Sequence, residues 1–330
     1  MKERTKTEGT ITEYTSRIVT MARRVDCPHN SPHFPDALLK QLLIEKTSIS
    51  KATWFKKKAS LIYYFEQVNR DDLIEKLQVM KPEGALSKSS NTSGRKKKSL
   101  TKNEEDKVRF ELEKMAKSSN TWGRQLLSYT ECILLTGMRP IELHGAKLYS
   151  SSTEFISEGN ILGDYSGNWP MLHIHNGKQT NGRSFGIKRH VDLSQLNKKQ
   201  LLYIKISLAY ANSLETPTGQ STDYKQYYDA LRHAFSRVIK KLFSGRSSFI
   251  SLYTYRHQCI ADLKADDNYS LLQIAAIVGH GNDLTATEHY GRKKSGRSRE
   301  AKVQANDVDV AKVRPLLNEK MNNITSHKPH

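Results

Sequence analysis

The sequence predicts a mainly α-helical protein with a small antiparallel β-sheet, divided into two domains. Apolar residues recur at helical spacing through most of the chain, and Asn-Gly dipeptides flank a short polar run between two β-prone segments. A polar, basic stretch separates two regions that are rich in apolar residues. With 330 residues, the chain is also long enough for two domains of ordinary size.

The N-terminal domain is predicted over residues 1–80 as a bundle of helices. Two of its segments repeat apolar residues on one helical face, and these faces comprise Ile11, Tyr14, Ile18 and Met21, and Trp54, Leu61 and Phe65. Lys56, Lys57 and Lys58 lie in the second segment, and the pattern directs them away from its apolar face. A run of charges usually forms a solvated face, and on a basic protein a face that contacts phosphates is the alternative.

Residues 81–103 are predicted to form a basic, flexible linker. They combine Pro82, Gly84 and a run of Ser, Thr and Asn with almost no apolar residue to bury. The run ends in four basic residues, Arg95, Lys96, Lys97 and Lys98. This composition suits a strap along a phosphate backbone, although a plain soluble tether has the same composition.

The second domain is predicted over residues 104–300. Helical patterns cover 104–117, 122–135, 196–213, 224–243, 253–265 and 270–278. Gly137 follows the second of these as a helix stop, and the Asn-Gly hairpin places a small sheet between about 145 and 193. Residues 301–330 are predicted to be a tail, either packed on a neighbouring protomer or frayed.

The charge balance points to a polyanionic partner. There are 53 Lys and Arg residues against 34 Asp and Glu, which leaves a net charge of +19 and makes nucleic acid the first partner to consider. No segment approaches the apolar length of a membrane span, and no apolar segment follows the charged N-terminus. Three widely spaced cysteines exclude a disulfide scaffold, so a cytoplasmic, nucleoid-associated protein is expected.

Four short motifs in the second domain carry groups suited to phosphate chemistry. The first, Thr136-Gly137-Met138-Arg139-Pro140-Ile141-Glu142-Leu143, places Arg139 just beyond a helix end. The second, Tyr253-Thr254-Tyr255-Arg256-His257, begins a helix, and the third ends a helix with Gly279-His280. Tyr290 follows ten residues later. Structural alternatives exist, since Arg139 can cap carbonyls or pair with Glu142 and the helix dipole favours a histidine such as His280 at a C-terminus.

Taken together and in this order, the motifs resemble those of the tyrosine recombinase (phage integrase) family. That family is marked by an Arg in a Thr-Gly-x-Arg-x-x-Glu-Leu box, a later His-x-x-Arg-His box, a Gly-His box and a following Tyr. The resemblance covers roughly residues 104–292 by motif, and the N-terminal domain and linker by layout alone. It implies a helical core-binding domain followed by a catalytic domain with the DNA breaking-rejoining fold.

The resemblance implies that Tyr290 attacks a DNA phosphate and forms a 3′-phosphotyrosyl bond, which is later rejoined without ATP. The chemistry of the residues agrees, because Arg139 and Arg256 can neutralise charge that develops on the non-bridging oxygens. No Asp/Glu cluster suited to two Mg²⁺ ions is apparent, so neither a metal nor another cofactor is expected. By resemblance, His280 hydrogen-bonds the phosphate or orients the nucleophile.

The family commonly protonates the departing 5′-oxygen with a Lys in the β-hairpin turn. Lys178 stands at the matching position, in Asn176-Gly177-Lys178, with Lys188 as a nearby competitor and a solvated turn lysine as the structural alternative. A general acid on a mobile hairpin would dock only when DNA is in place.

The sequence departs from the family pattern at two points. Tyr253 stands where the family usually has a His three residues before the second Arg, and a neutral phenol cannot act as a base near pH 7. His257 matches the second His of that box, whose usual role is structural. The spacing from His280 to Tyr290 is one residue longer than the commonest family spacing, which a loop can absorb.

The expected function is site-specific DNA recombination that integrates or excises a mobile element. By resemblance, the partners are double-stranded DNA with a specific recombination site, a homo-tetramer on two sites and accessory DNA-bending proteins. Basic residues beyond the nucleophile, Arg292 and Lys293 and further on Arg297 and Arg299, are expected at the DNA backbone. The alternatives are relaxation of DNA like a type IB topoisomerase, or a catalytically silent, recombinase-derived DNA-binding protein, which Tyr253 favours.

Overall fold

The computed structural model of the protein describes residues 6–86, 96–118, 121–179, 183–214, 223–285, 293–300 and 302–317. The chain forms two compact units, Met1–Ser93 and Gly94–His330, and the division falls inside the predicted linker. Most described residues are helical, and the strands form one small antiparallel sheet. The predicted combination of helices with a small antiparallel sheet is confirmed.

The described part of the N-terminal unit contains helices α1 (Glu8–Ala22), α2 (Phe34–Glu45), α3 (Lys51–Gln67) and α4 (Asp71–Val79). Helix α3 begins after Ser50, whose hydroxyl accepts a hydrogen bond from the backbone N–H of Thr53 at 3.2 Å. Trp54, Leu61 and Phe65 are fully buried against apolar residues of the other three helices. The apolar face predicted for this segment is therefore the core-facing side of α3.

The lysine run of α3 contacts its own unit more than its sequence predicts. Lys56 is exposed, whereas Lys57 forms an ion pair with the buried Glu45. Lys58 donates to the carbonyl oxygen of Met80 at 2.8 Å, and its Nζ lies 5.1 Å from the centroid of the Trp54 ring. The prediction that the run is directed away from Trp54 is wrong for Lys58, because a long aliphatic stem can cross a buried indole and still present its charge to a helix end.

Both ends of the segment 81–103 pack into the units that they adjoin. Leu86 donates its backbone N–H to the carbonyl of Ile49 at 2.9 Å in the N-terminal unit. In the second unit the N–H of Lys97 donates to the carbonyl of Phe249 at 3.0 Å, and the N–H of the buried Leu100 donates to Oε1 of Gln258 at 2.7 Å. Residues 87–95, which include Arg95, lie outside the described residues.

The second unit packs helices around one large apolar core. Its described helices are α5 (Lys102–Lys117), α6 (Thr121–Thr136), α7 (Ser152–Ser157), α8 (Lys198–Ser213), α9 (Tyr224–Leu242), α10 (Leu252–Ala265), α11 (Leu271–Val278) and the short α12 (Asp307–Val310). Leu126, Ile133, Ile260 and Ile277 are among the residues buried at its centre. In the part of the chain that the structure describes, no helix is both long enough and apolar enough to cross a bilayer.

The sheet contains β1 (Lys147–Tyr149), β2 (Met171–His175), β3 (Lys188–Asp192) and β4 (Gln304–Ala305), hydrogen-bonded in that order and all antiparallel. Strands β2 and β3 form the predicted hairpin, in which His173 pairs with His190 and His175 pairs with Lys188. One side of the hairpin packs on α11, and the other side contacts an aromatic cluster around Phe155.

The chain beyond residue 301 folds back onto its own unit as far as the structure describes it. Strand β4 pairs with β3, and Val313 packs on Ala275 and Ala276 of α11. The carboxylate of Asp309, which is buried, accepts from the backbone N–H of His190 at 2.7 Å. A polar anchor and an apolar contact thus hold residues 302–317 against their own unit.

A pH-dependent loss of stability is expected at His173 on β2. Burial, with the nearby His190 and His175, lowers the pKa of His173 to about 4. The unfolded chain therefore binds a proton that the folded chain excludes, and stability falls as pH drops from about 6.5 towards about 4. Between pH 7 and pH 5 this histidine should contribute a loss of up to about 2 kcal/mol in the free energy of unfolding.

Denaturant unfolding of wild type and His173→Phe at the two pH values measures this contribution. The variant should lose less stability on acidification, whereas His175→Phe, a change at the exposed neighbour on β2, should behave like wild type. Equal pH dependence of His173→Phe and wild type would contradict the prediction.

Candidate active site

Arg139 is placed by a glycine turn at the end of α6. Gly137, at φ +62°, ends the helix, and a Cβ there would lie 2.9 Å from Cγ1 of Val278 and 3.2 Å from Sγ of Cys259. The chain then passes through Arg139 in extended conformation into a single 3₁₀ turn, Pro140–Glu142. The Arg139 side chain is buried, and its Nη2 donates to the carbonyl oxygen of Gly279 at 3.0 Å.

Glu142 is the buried carboxylate at the centre of the site. It accepts from Arg139 Nη1 at 2.5 Å, from the backbone N–H of Arg139 at 2.7 Å and from the backbone N–H of Gly177 at 3.0 Å. Its Oε2 also accepts from Arg189 Nη2 at 2.8 Å. Burial alone would raise the pKa of Glu142, but the guanidiniums of Arg189, Arg139 and Arg256 hold this pKa well below its usual range. The pairing of Arg139 with Glu142, given above as a structural alternative, is therefore present.

Arg256 lies in the second turn of α10 and is fully buried. Its Nη1 donates to the carbonyl of Gly137, and its Nη2 donates to the carbonyl of Val278 at 2.9 Å and lies 3.1 Å from Nε2 of His280. Tyr253 and His257 lie about one turn apart on the same helix, with ring centroids 5.3 Å apart in an edge-to-face arrangement. Burial and nearby positive charges lower the pKa of His257 to about 4.

His280 follows the glycine turn that ends α11. Gly279 adopts φ +70°, and the N–H of His280 donates to the carbonyl of Ala275 at 2.8 Å, as in a Schellman ending. Burial, together with the charges of Arg256 and Arg139, lowers the pKa of His280 well below its usual range. The imidazole is therefore neutral at pH 7, and its Nε2 can accept a hydrogen bond from Arg256.

The turn between β2 and β3 carries Lys178 on the surface of the second unit. Lys178 is exposed and follows Gly177, whose N–H is bound by Glu142. Lys188, the competing lysine, pairs with Asp164 at 2.8 Å and lies in β3 itself. Lys178 thus follows a residue whose backbone binds Glu142, whereas the ammonium of Lys188 is paired with Asp164.

Sequence reasoning missed Arg189. It is fully buried in β3 and donates to Glu142, Asn176 and the carbonyl of Ile277. A basic residue in a strand next to a polar turn ordinarily predicts a solvated position, so composition gave no sign of it. A signal was available in the alternation of the neighbouring residues, because Arg189 falls on the same strand face as the apolar Val191 and Leu193.

The other residues predicted to contact DNA lie in different surroundings. Lys96 is exposed and Lys98 half-buried, while Lys97 pairs with Glu104 at 2.5 Å and Lys293 pairs with Asp267 at 2.6 Å. Arg297 and Arg299 pair with Glu105, and Arg299 also pairs with Asp262. Tyr290, Arg292 and Arg95 lie outside the described residues.

Arg139, Arg256 and His280 converge on one short turn. Arg139 donates to Gly279 and Arg256 to Val278, so both guanidiniums are fixed beside the backbone that carries His280. Such a site can bind an anion with two fixed, planar donors and a neutral imidazole. Among the described residues, no group of three potential metal ligands is present.

Comparison with sequence models of protein families gives no match, and comparison with curated proteins gives none. Comparison of structures shows that the chain has the fold of the tyrosine recombinases. The resemblance drawn from the four motifs is therefore confirmed at the level of the fold.

The solved structures that share this fold include lambda integrase, in its tetramer bound to a Holliday junction. That similarity has a TM-score of 0.50 at 17% identity and covers 90% of this chain and 75% of the integrase chain. A lambda integrase dimer bound to a COC' core site gives a TM-score of 0.48 at 15% identity, covering 89% of this chain and 74% of that one. XerH recombinase bound to a difH substrate gives 0.46 at 14% identity, covering 86% and 76%.

Replacing Gly279 by Ala should destabilise the site directly. A Cβ at this position would lie 2.6 Å from Oδ1 of Asn176 and 2.7 Å from Nη1 of Arg189, both buried and mutually hydrogen-bonded, in a residue held at φ +70°. We expect a loss of about 3 kcal/mol in the free energy of unfolding, measured with denaturant.

The matched control is Gly245→Ala. Gly245 has φ +79° with nothing within 4 Å of an added Cβ, so only the backbone cost of about 1 kcal/mol should appear. Equal losses in the free energy of unfolding for the two variants would show that the close contacts of Gly279 with Asn176 and Arg189 do not affect stability.

Proposed function

We propose that this chain is a site-specific DNA recombinase that cleaves and rejoins double-stranded DNA through a 3′-phosphotyrosyl bond to Tyr290. The observation that carries the proposal is the convergence of Arg139, Arg256 and His280 on the turn at residues 278–280. Three buried guanidiniums, those of Arg139, Arg189 and Arg256, surround the one carboxylate of Glu142, so among the described residues this group retains two excess positive charges. A phosphodiester supplies the negative charge that such a site favours.

The cleavage step follows from the chemistry of these groups. The phenolic oxygen of Tyr290 forms a bond to phosphorus while the bond from phosphorus to the 5′-oxygen breaks. Arg139 and Arg256 stabilise the charge that grows on the two non-bridging oxygens, which replaces the role of a metal ion. The phenolic proton leaves to water, because Tyr253 is itself a phenol and the pKa of His280 is depressed.

Lys178 is proposed as the general acid. Its ammonium would donate a proton to the departing 5′-oxygen, and the 5′-hydroxyl so formed is the nucleophile for rejoining in the reverse direction. The exposed position of Lys178 in the turn between β2 and β3 permits it to dock on DNA whose phosphate is bound by Arg139 and Arg256. Rejoining needs no ATP because the phosphotyrosyl bond retains the energy of the phosphodiester.

The main DNA contacts proposed outside the site are five of the basic residues that the sequence analysis assigned to DNA. These are Lys56 in the N-terminal unit, Lys96 and Lys98 at the start of the second unit, and Arg95 and Arg292 outside the described residues. Lys57, Lys58, Lys97 and Lys293 make intramolecular contacts and are proposed as weaker, secondary contributors to the positive surface. With a net charge of +19, binding should weaken steeply with salt.

We further propose the assembly and setting that the resemblance implies. Four protomers would act on two sites and exchange strands in sequence, and the structural neighbour lambda integrase was crystallised as a tetramer on a Holliday junction. The biological role would be integration or excision of a mobile element in the cytoplasm, on nucleoid DNA and with accessory DNA-bending proteins.

The deciding experiment is covalent capture of DNA. Duplexes from the DNA that flanks this gene, each with a nick close to the cleavage point, are incubated with protein in EDTA and resolved on a denaturing gel. The nick lets a short strand diffuse away, which traps the intermediate. Wild type should give a slowly migrating protein–DNA band, and Tyr290→Phe, which lacks only the phenolic oxygen, should give none.

Two other outcomes would redirect the proposal. If neither protein gives the band while both shift the DNA on a native gel, the chain is a silent DNA-binding protein, and Tyr253→His becomes the variant to test for recovered cleavage. If the band forms but religation restores only the original strand and never joins a partner strand, the activity is that of a type IB topoisomerase.

A further inference from the structure

Arg189 is a buried charge that the proposed reaction does not use directly. It is the second residue of β3 and has no exposed surface. Burying a guanidinium is costly, and an apolar residue would fill such a position without that cost. The contacts of this side chain therefore indicate what it contributes.

The three donor groups of Arg189 bind three different parts of the site. Nε donates to the carbonyl of Ile277 at 2.9 Å, at the end of α11, and Nη2 donates to Glu142 at 2.8 Å. Nη1 donates to Oδ1 of Asn176 at 2.5 Å, at the base of the hairpin. One rigid, planar group thus links the elements that carry His280, Arg139 and Lys178.

The hairpin contact is the informative one, because it lies two residues before Lys178. Asn176 is buried, and its Nδ2 donates to the carbonyl of Gly186 on the other arm of the hairpin at 2.9 Å. The next residue, Gly177, donates its backbone N–H to Glu142, the carboxylate that also binds Arg189. The base of the hairpin is therefore tied at two successive residues to the Arg189 and Glu142 pair.

A lysine could not make the same links. The guanidinium presents donors in fixed directions within one plane, whereas an ammonium is a point charge on a flexible stem. Gly279 adds a steric limit, because its α-carbon lies so close to Asn176 and Arg189 that no side chain fits between them. The position of the hairpin base relative to the turn at His280 is consequently fixed by contact as well as by hydrogen bonds.

We propose that Arg189 is a positioning residue that sets the place of the general acid Lys178 relative to Arg139 and His280. This inference rests on the proposed function. Arg189 itself touches no reacting atom. It acts on the base of the hairpin through Asn176 and Glu142, so its largest effect is on proton delivery to the leaving 5′-oxygen.

A sulfur leaving group tests this specificity. In a substrate with sulfur in place of the bridging 5′-oxygen, the bond from phosphorus to sulfur breaks to release a thiolate, which needs no proton because a thiol has a pKa near 8.5. Adduct formation is measured under single-turnover conditions on matched nicked duplexes with oxygen or sulfur at this position. Lys178→Ala, as the reference, should lose about 10²–10⁴-fold on oxygen and recover most of the rate on sulfur.

Arg189→Lys should follow the pattern of Lys178→Ala, with a loss of about 10²-fold on oxygen and a rate within about tenfold of wild type on sulfur. Equal losses on the two substrates, as expected for Arg256→Lys, would overturn the proposal, and so would an unchanged rate on oxygen. Arg232→Lys, a change at an exposed arginine on α9, controls for the substitution itself.

Thermal melting shows whether Arg189→Lys folds. If it does not, Asn176→Ala serves as the second variant. It removes only the hairpin arm of the contact and leaves the pair of Arg189 and Glu142, and it should show the same recovery on sulfur. A wild-type protein that forms no adduct on either substrate would overturn the proposed function itself. A wild type that forms the adduct, with an Arg189 variant that loses the same factor in rate on both substrates, would instead overturn only the role proposed for Arg189.

Discussion

Replacing Arg256 by Lys is expected to slow formation of the covalent protein–DNA adduct by about 10²–10³-fold, while DNA affinity changes by less than about tenfold. The fully buried guanidinium binds the carbonyls of Gly137 and Val278 and approaches His280. These contacts fix the plane from which it would reach a phosphate, and an ammonium has no such plane. Single-turnover adduct formation and native gel shifts measure the two quantities.

The control for Arg256→Lys is Arg232→Lys, which makes the same chemical change on the surface of α9. It should leave cleavage and affinity at wild-type values. A wild-type cleavage rate for Arg256→Lys would show that Arg256 is only a structural cap of α6 and α11.

Replacing Glu142 by Gln is expected to lower the free energy of unfolding of the second unit by about 3–5 kcal/mol. The carboxylate is buried and accepts from Arg139, Arg189 and the backbone of Gly177. Its removal leaves two buried guanidiniums without their shared counter-charge. Glu158→Gln, which breaks an exposed ion pair with Lys147 in the same unit, should have a far smaller effect.

The contribution of the Glu142 carboxylate to stability depends on pH with a definite sign. The pKa of Glu142 is depressed in the folded protein, so its stabilisation is complete above the pKa of the unfolded carboxyl and is lost only as pH falls through the folded pKa. The difference between wild type and Glu142→Gln, measured by denaturant unfolding, should therefore be equal at pH 7 and pH 6. A small difference at both values would show that solvent reaches the pair.

Much of the helical framework could be predicted because its sequence signals are local. The apolar face of α3 and the glycine endings of α6 and α11 depend on spacing and backbone conformation within a few residues. The hairpin of β2 and β3 was signalled in the same way by Asn176-Gly177. Arg139, Arg256 and His280 were found through the order of their motifs along the chain, and the structure places all three around one turn.

The remainder depends on contacts between distant segments. Strands β1 and β4 have three and two residues, too few for an alternating pattern to be recognised. Asp309 bonds His190 across 119 positions, and nothing in the sequence around it indicates a partner on β3. The role of Arg189 also depends on distant segments, because only the folded chain brings Glu142 and Asn176 to its guanidinium.

The in-chain contacts of residues 293–317 also set an order of events during synthesis. Arg299 pairs with Glu105 across 194 positions, and Asn306 binds Ser166 across 140, so the second unit cannot close until almost all of its chain has left the ribosome. The helices of residues 8–79 have no such requirement, since their core partners lie within their own unit. At a synthesis rate of ~5–20 residues per second, the N-terminal unit has many seconds to fold before Arg139, Arg256 and His280 can come together. Synthesis that stops before residue 299 would leave a folded N-terminal unit attached to an incomplete second unit.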